Sequence, residues 1–75
     1  MIEPGRYRHY KGTEYLVIGT GLHTETLEEL VIYRDIHDET KIWVRPARMF
    51  TETVKMNNAT CKRFVKITHQ GGQEG

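Results

Sequence analysis

Arginine and aromatic side chains recur together in this chain. Arg6, Tyr7, Arg8, His9, Tyr10 and Lys11 form one unbroken run, Trp43 stands two residues before Arg45, and Tyr33 and Arg63 lie in apolar stretches. A guanidinium fork grips phosphate or carboxylate oxygens through paired N–H bonds, and a flat ring stacks on another ring or beneath a cation. The chemistry these types suggest is recognition of an anionic or aromatic partner. The candidate ligand-binding residues are therefore Arg6, Arg8, His9, Tyr10, Tyr33, Trp43, Arg45 and Arg63. The same pattern also describes a strand with one packed face, and Trp43 beside Arg45 also suits a structural pair neutralised by Asp35 or Glu25.

Other reactive types are less organised. His23 with Glu25, and His37 with Asp38 and Glu39, have acid–base or metal-ligand composition, but neither set has a matching ligand cluster at zinc spacing. Both read as solvated loop groups. Cys61 has no nucleophile signature around it, and Gly19-Thr20-Gly21 lacks the further glycine and lysine of a phosphate-cradling loop. Asn58-Ala59-Thr60 matches the glycosylation sequon, which matters only in a secreted protein. Catalytic and metal residues are accordingly none, and no cofactor is implied.

The elements that must hold these residues are short strands. Residues 7–10 read as a first strand closed by a turn at Gly12. Residues 15–20 form the strongest β segment, with apolar residues on both faces and a bulge or bend near Gly19 and Gly21. Thr26-Leu27-Glu28-Glu29 fits a helix start, yet the following Leu30-Val31-Ile32-Tyr33 is strand-like, so a strand is assigned to residues 29–35. Residues 36–41 make a hairpin loop, and residues 42–45 a fourth strand stopped by Pro46. A helical turn then points Met49 and Phe50 inward, with Arg48 and Glu52 facing water. Asn57-Asn58 marks a turn and residues 62–67 the last strand. The expected fold is mainly β: a five-stranded antiparallel curled sheet or SH3-like barrel with one helical turn before the last strand. Residues 1–69 form this single barrel-like domain, and residues 70–75 are a disordered tail.

Alternation divides the strands into two faces. Leu16, Ile18, Ile32, Ile42 and Val44 are assigned to the interior, with Val17 and Phe50 also buried. Val31, Tyr33, Trp43 and Arg45 share the opposite face, which is too apolar to be simply solvated: either Tyr7 and Tyr10 fold over it as a minor core, or it is open and binds something.

Composition bounds the possibilities. Seventy-five residues make one small domain with little room for an enclosed site, and 37% hydrophobic with 28% charged residues are ordinary globular values. A net charge of +1 argues against a dedicated nucleic-acid binder while leaving room for a local patch. One cysteine excludes an internal disulfide, no apolar run approaches the roughly 18 residues of a membrane span, and the N-terminal residues lack a signal-peptide core, so a cytoplasmic location is expected.

Residues 4–12, then 23–28 leading into Leu30-Val31-Ile32-Tyr33-Arg34, then Trp43-Val44-Arg45-Pro46 with Met49-Phe50, and finally Arg63-Phe64 resemble the small bacterial family catalogued as domain of unknown function 1653. The resemblance spans residues 4 to about 67. It implies a compact bacterial cytosolic domain, sometimes part of a larger protein, and carries no catalytic residues over. The preferred expectation is a non-catalytic binding or accessory module for an anionic or aromatic partner, whether anionic ligand, nucleic acid or protein, with no membrane involved. The alternatives are a small enzyme or metabolite-processing subunit using His9, His23 and Glu25 in a cleft, and a purely structural domain.

Overall fold

A computed structural model describes residues 2–67 of the chain. Seven strands and one helical turn follow one another: β1 (Gly5–His9), β2 (Glu14–Leu22), β3 (Glu29–Asp35), β4 (Ile42–Pro46), α1 (Ala47–Phe50), β5 (Thr53–Met56), β6 (Ala59–Lys62) and β7 (Phe64–Lys66). The first four strands and β7 build an antiparallel sheet in the order β4-β3-β2-β1-β7, while β5 and β6 form a separate hairpin. The five strands read from the sequence are the five of the main sheet. The sheet stays open: β4 and β7 are its two edges, so the SH3-like barrel is not formed. The expected disordered tail at residues 70–75 lies outside the described residues.

The β5–β6 hairpin was legible only as its turn. Asn57 and Asn58 both have positive φ (52° and 67°), the backbone that lets a two-residue loop match strand twist, and Met56 pairs with Ala59 across it. The residues on either side of this turn carry few β-branched apolar side chains, which hid them from a periodicity reading. The last strand is shorter than expected, because Lys62 ends β6 and only Phe64–Lys66 pair with β1.

The grouping of side chains by alternation holds, but the assignment of which group is buried is reversed. Register places Val17, Tyr33 and Trp43 in one cross-strand row and Val31 beside Arg45, all on one face, with Gly19, Ile32 and Val44 in a row on the other. The first face is the core. Val31 (0% exposed), Val17 (1%), Tyr33 (5%), Tyr7, Phe50 and Phe64 are the buried cluster. Ile18, Ile42 and Val44 are at least half exposed (50%, 55% and 58%), and Leu16 and Ile32 are half-buried. The expectation that β2 is buried on both sides is likewise corrected: Ile18 is the extra residue of a bulge between Val17 and Gly19 and faces out.

Aromatic packing decides the direction. Phe50, delivered by α1 immediately after the strand-ending Pro46, stacks on Phe64 at 4.1 Å and meets Tyr7 and Tyr33 edge-on at 5.4 and 5.5 Å. Tyr15 and Tyr33 meet edge-on at 5.2 Å. These rings bury more area per side chain than the isoleucines and valines of the other face, and edge-to-face pairs add to that burial. Tyr7 is thus a member of the main core, and its hydroxyl is satisfied by donating to the Glu3 carbonyl.

A matched pair of substitutions tests the reversal. Val31→Thr should cost about 1–3 kcal/mol, since it buries a hydroxyl without a partner, whereas Val44→Thr should stay within about 0.5 kcal/mol. Equal losses in urea melts of the two variants would contradict this face assignment.

Candidate functional site

The end of the packed face that carries the β1 C-terminus gathers most of the candidate residues. Tyr33 lies opposite Trp43, and Val31 opposite Arg45, so the two β4 side chains stand beside the ring that closes the core. The Tyr33 hydroxyl accepts a bond from Arg45 Nε at 3.3 Å, tying the guanidinium to a buried ring. Trp43 is 47% exposed because β4 is an edge strand, with no neighbour beyond it among the described residues. Arg45 therefore has neither of the carboxylates considered for it. Asp35 accepts instead from the His37 amide, and among the described residues no ion pair includes Arg45.

His9 and Arg63 complete this end. His9 packs edge-on to Phe64 at 4.9 Å and against Tyr10 at 4.5 Å. Burial holds its imidazole below the ordinary value of 6.5, helped by the positive charges of Arg63, Arg45 and Lys11. Its Nδ1 accepts the Lys11 amide at 3.1 Å, as an unprotonated nitrogen must, so near neutral pH His9 is an uncharged polar group in a cationic setting. Arg63 donates to Glu52 at 2.6 Å, which pushes its guanidinium further towards the charged form, and the Arg63 carbonyl accepts the Tyr10 amide. Arg63 Nε is buried without a hydrogen-bond partner among the described residues. An unsatisfied buried donor costs about 1–3 kcal/mol, so the Arg63–Glu52 pair is held at some expense to stability.

The structure separates Arg6 and Arg8 from this group. Arg6 pairs with Leu16 and Arg8 with Glu14, which puts both arginines on the sheet's other face. There they share one carboxylate, Glu14, whose pKa is lowered by the two guanidinium hydrogen bonds.

The histidine and carboxylate sets serve loops. His23 Nδ1 accepts the Glu25 and Thr26 amides in the β2–β3 connection, and Asp38 accepts from the Thr40 amide and hydroxyl in the β3–β4 connection. His9 and His23 sit at opposite ends of the nine-residue β2, because β1 places Arg8 against Glu14 while His23 follows Leu22. At about 3.3 Å per residue that separation is several times the reach of a shared acid–base pair. No group of three His, Cys, Asp or Glu side chains among the described residues could hold a metal ion, and no described helix is long and apolar enough to cross a membrane.

One concavity of the described residues lies beside His9. It is a cleft of about 380 Å³ lined by Arg8, His9, Tyr10, Cys61, Lys62, Val65, Lys66 and Ile67. The β5–β6 hairpin supplies Cys61 and Lys62 to it.

The crystal structure of a DUF1653 protein from Bordetella bronchiseptica is similar to this chain, with 34% sequence identity, a TM-score of 0.80, and coverage of 91% of this chain and 90% of that one. A comparison with curated proteins finds no match. The sequence matches the family described as a protein of unknown function (DUF1653) over residues 5–66, which is nearly the whole of the described fold. The chain belongs to that family.

Proposed function

We propose that this chain is a non-catalytic binding module that recognises an anionic or aromatic partner at the arginine and aromatic end of its packed face, through Arg45, Trp43, Tyr33, His9, Tyr10 and Arg63. The observation that carries this reading is Arg45 itself. Its Nε is fixed by the Tyr33 hydroxyl at 3.3 Å, no carboxylate pairs with it among the described residues, and a half-exposed indole stands beside it. A guanidinium oriented by a neutral hydroxyl keeps its terminal N–H groups available for an anion, and a ring alongside offers a stacking surface. The uncharged His9 adds hydrogen-bonding capacity at the same end.

The test is a chemical-shift titration with short RNA, nucleotides and acidic peptides, on the parent and on Arg45→Ala. A ligand should shift the Tyr33, Trp43 and Arg45 amides, and the variant should bind at least about tenfold more weakly, the effect of losing a charged hydrogen bond of about 1.5–3 kcal/mol. Its melting temperature should fall by only a few degrees, because Arg45 is partly exposed and its partner is a hydroxyl. If none of these ligands moves that face, the reading fails.

A further inference from the structure

The two edges of the main sheet differ. The β7 edge is only three residues long and carries Lys66. The β4 edge is five residues long, and Ile42, Trp43 and Val44 follow one another there, each about half exposed and none of them charged. Natural edge strands are kept from pairing by shortness, charge, proline or a bulge, and over Ile42 to Val44 this strand uses none of these. Unpaired backbone groups beside apolar side chains are a template for one more strand.

The hydrogen-bond phase fixes which groups are unpaired. The Asp35 amide donates to the Lys41 carbonyl at 3.0 Å, and in an antiparallel ladder that bond joins residues standing directly opposite each other. The register continues through Tyr33 opposite Trp43 and Val31 opposite Arg45, so Trp43 and Arg45 direct their backbone groups to β3. Ile42 and Val44 turn theirs away from the sheet. Pro46 falls in the same outward phase, where its missing N–H costs the ladder nothing. A strand added here would bond to Ile42 and Val44 and place its alternate residues opposite Trp43 and Arg45 in non-hydrogen-bonded pairs, where side chains come closest.

Side chains define the chemistry of that strand. On the packed side Arg45 is held by the Tyr33 hydroxyl and enters no ion pair among the described residues, and Lys41, which stands opposite Asp35, enters none either. On the other side Ile42 and Val44 are apolar. We propose that β4 receives an extended acidic segment of a partner protein, added antiparallel as a further strand, with a carboxylate opposite Arg45, an aromatic residue opposite Trp43 and β-branched residues opposite Ile42 and Val44. The proposal rests on the Arg45 reading above and names its partner, a peptide strand held by the Ile42 and Val44 backbone as well as by the guanidinium. A second copy of this chain, paired so that Ile42 opposes Val44, would instead set Arg45 against Lys41, cation against cation.

The experiment is an NMR titration of the full chain with the end-capped peptide Glu-Val-Tyr-Val-Glu, the same peptide N-methylated at both valines, the peptide Lys-Val-Tyr-Val-Lys, and adenosine monophosphate, with hydrogen exchange followed at the β4 amides. The acidic peptide should shift Ile42, Trp43, Val44 and Arg45, and at saturation it should slow exchange of the outward Ile42 and Val44 amides about tenfold or more. N-methylation removes the two donors that reach the Ile42 and Val44 carbonyls and should weaken binding about tenfold or more, as should the exchange of both glutamates for lysines. Equal binding of the methylated and parent peptides, or shifts at Trp43 and Arg45 without protection of Ile42 and Val44, would overturn strand addition and leave Arg45 as an anion site. Adenosine monophosphate binding at this face while the acidic peptide does not would have the same meaning. Protection of Ile42 and Val44 that rises with chain concentration before any peptide is added would assign the edge to a second copy and overturn the proposal. Silence of every ligand at this face, with the peptides at millimolar concentration, would remove both readings.

Discussion

Phe50→Ala should lower the stability of the domain by about 3–5 kcal/mol, the range for removing a fully buried aromatic ring. Phe50 is 1% exposed, lies parallel to Phe64 at 4.1 Å, and is the ring that both Tyr7 and Tyr33 meet edge-on. The ring is carried in by a helical turn of only four residues. A domain of this length holds on the order of 5–10 kcal/mol in total, so the variant should be largely unfolded at 37 °C. Circular dichroism melts check this directly. A melting temperature within about 4 °C of the parent, the shift produced by roughly 1 kcal/mol, would mean that the aromatic cluster is not what holds the sheet to α1.

Tyr33 joins the core to the proposed site, and two substitutions separate those roles. Tyr33→Ala should cost about 3–5 kcal/mol, because the ring is 5% exposed and packs edge-on against Tyr15, Phe50 and Phe64. Tyr33→Phe keeps all three ring contacts and removes only the hydroxyl that holds Arg45 Nε. It should cost no more than about 1.5 kcal/mol in stability, the net value of one hydrogen bond. Ligand affinity at the Arg45 face should nevertheless fall several-fold, since the guanidinium loses the group that orients it. If Tyr33→Phe binds like the parent, then Tyr33 serves the core alone.

The same distinction runs through what could be read from the residues in order. Trp43 and Arg45 were placed together by alternation, and the register of β3 with β4 keeps them on one face with Val31 and Tyr33. Arg6 and Arg8 were grouped with them through composition alone. Composition carries no information about strand side, and the pairing of β1 with β2 sends these two to the opposite face.

By itself the sequence determined the five strands of the main sheet, the loop between β3 and β4, the stop at Pro46 and the partition of side chains into two faces, because each follows from a period of two and from turn chemistry acting over a few residues. Family membership was legible for a related reason: its motifs are local runs in a fixed order. Which of the two faces became the core was decided only by tertiary structure. Alternation is symmetric under exchange of the faces, and the choice fell to the side where Tyr7, Phe50 and Phe64, distant in sequence, meet on Tyr33 and Val17. The open sheet and the Arg45–Tyr33 contact have the same origin, since each joins residues whose spacing along the chain carries no signal until non-local packing brings them together.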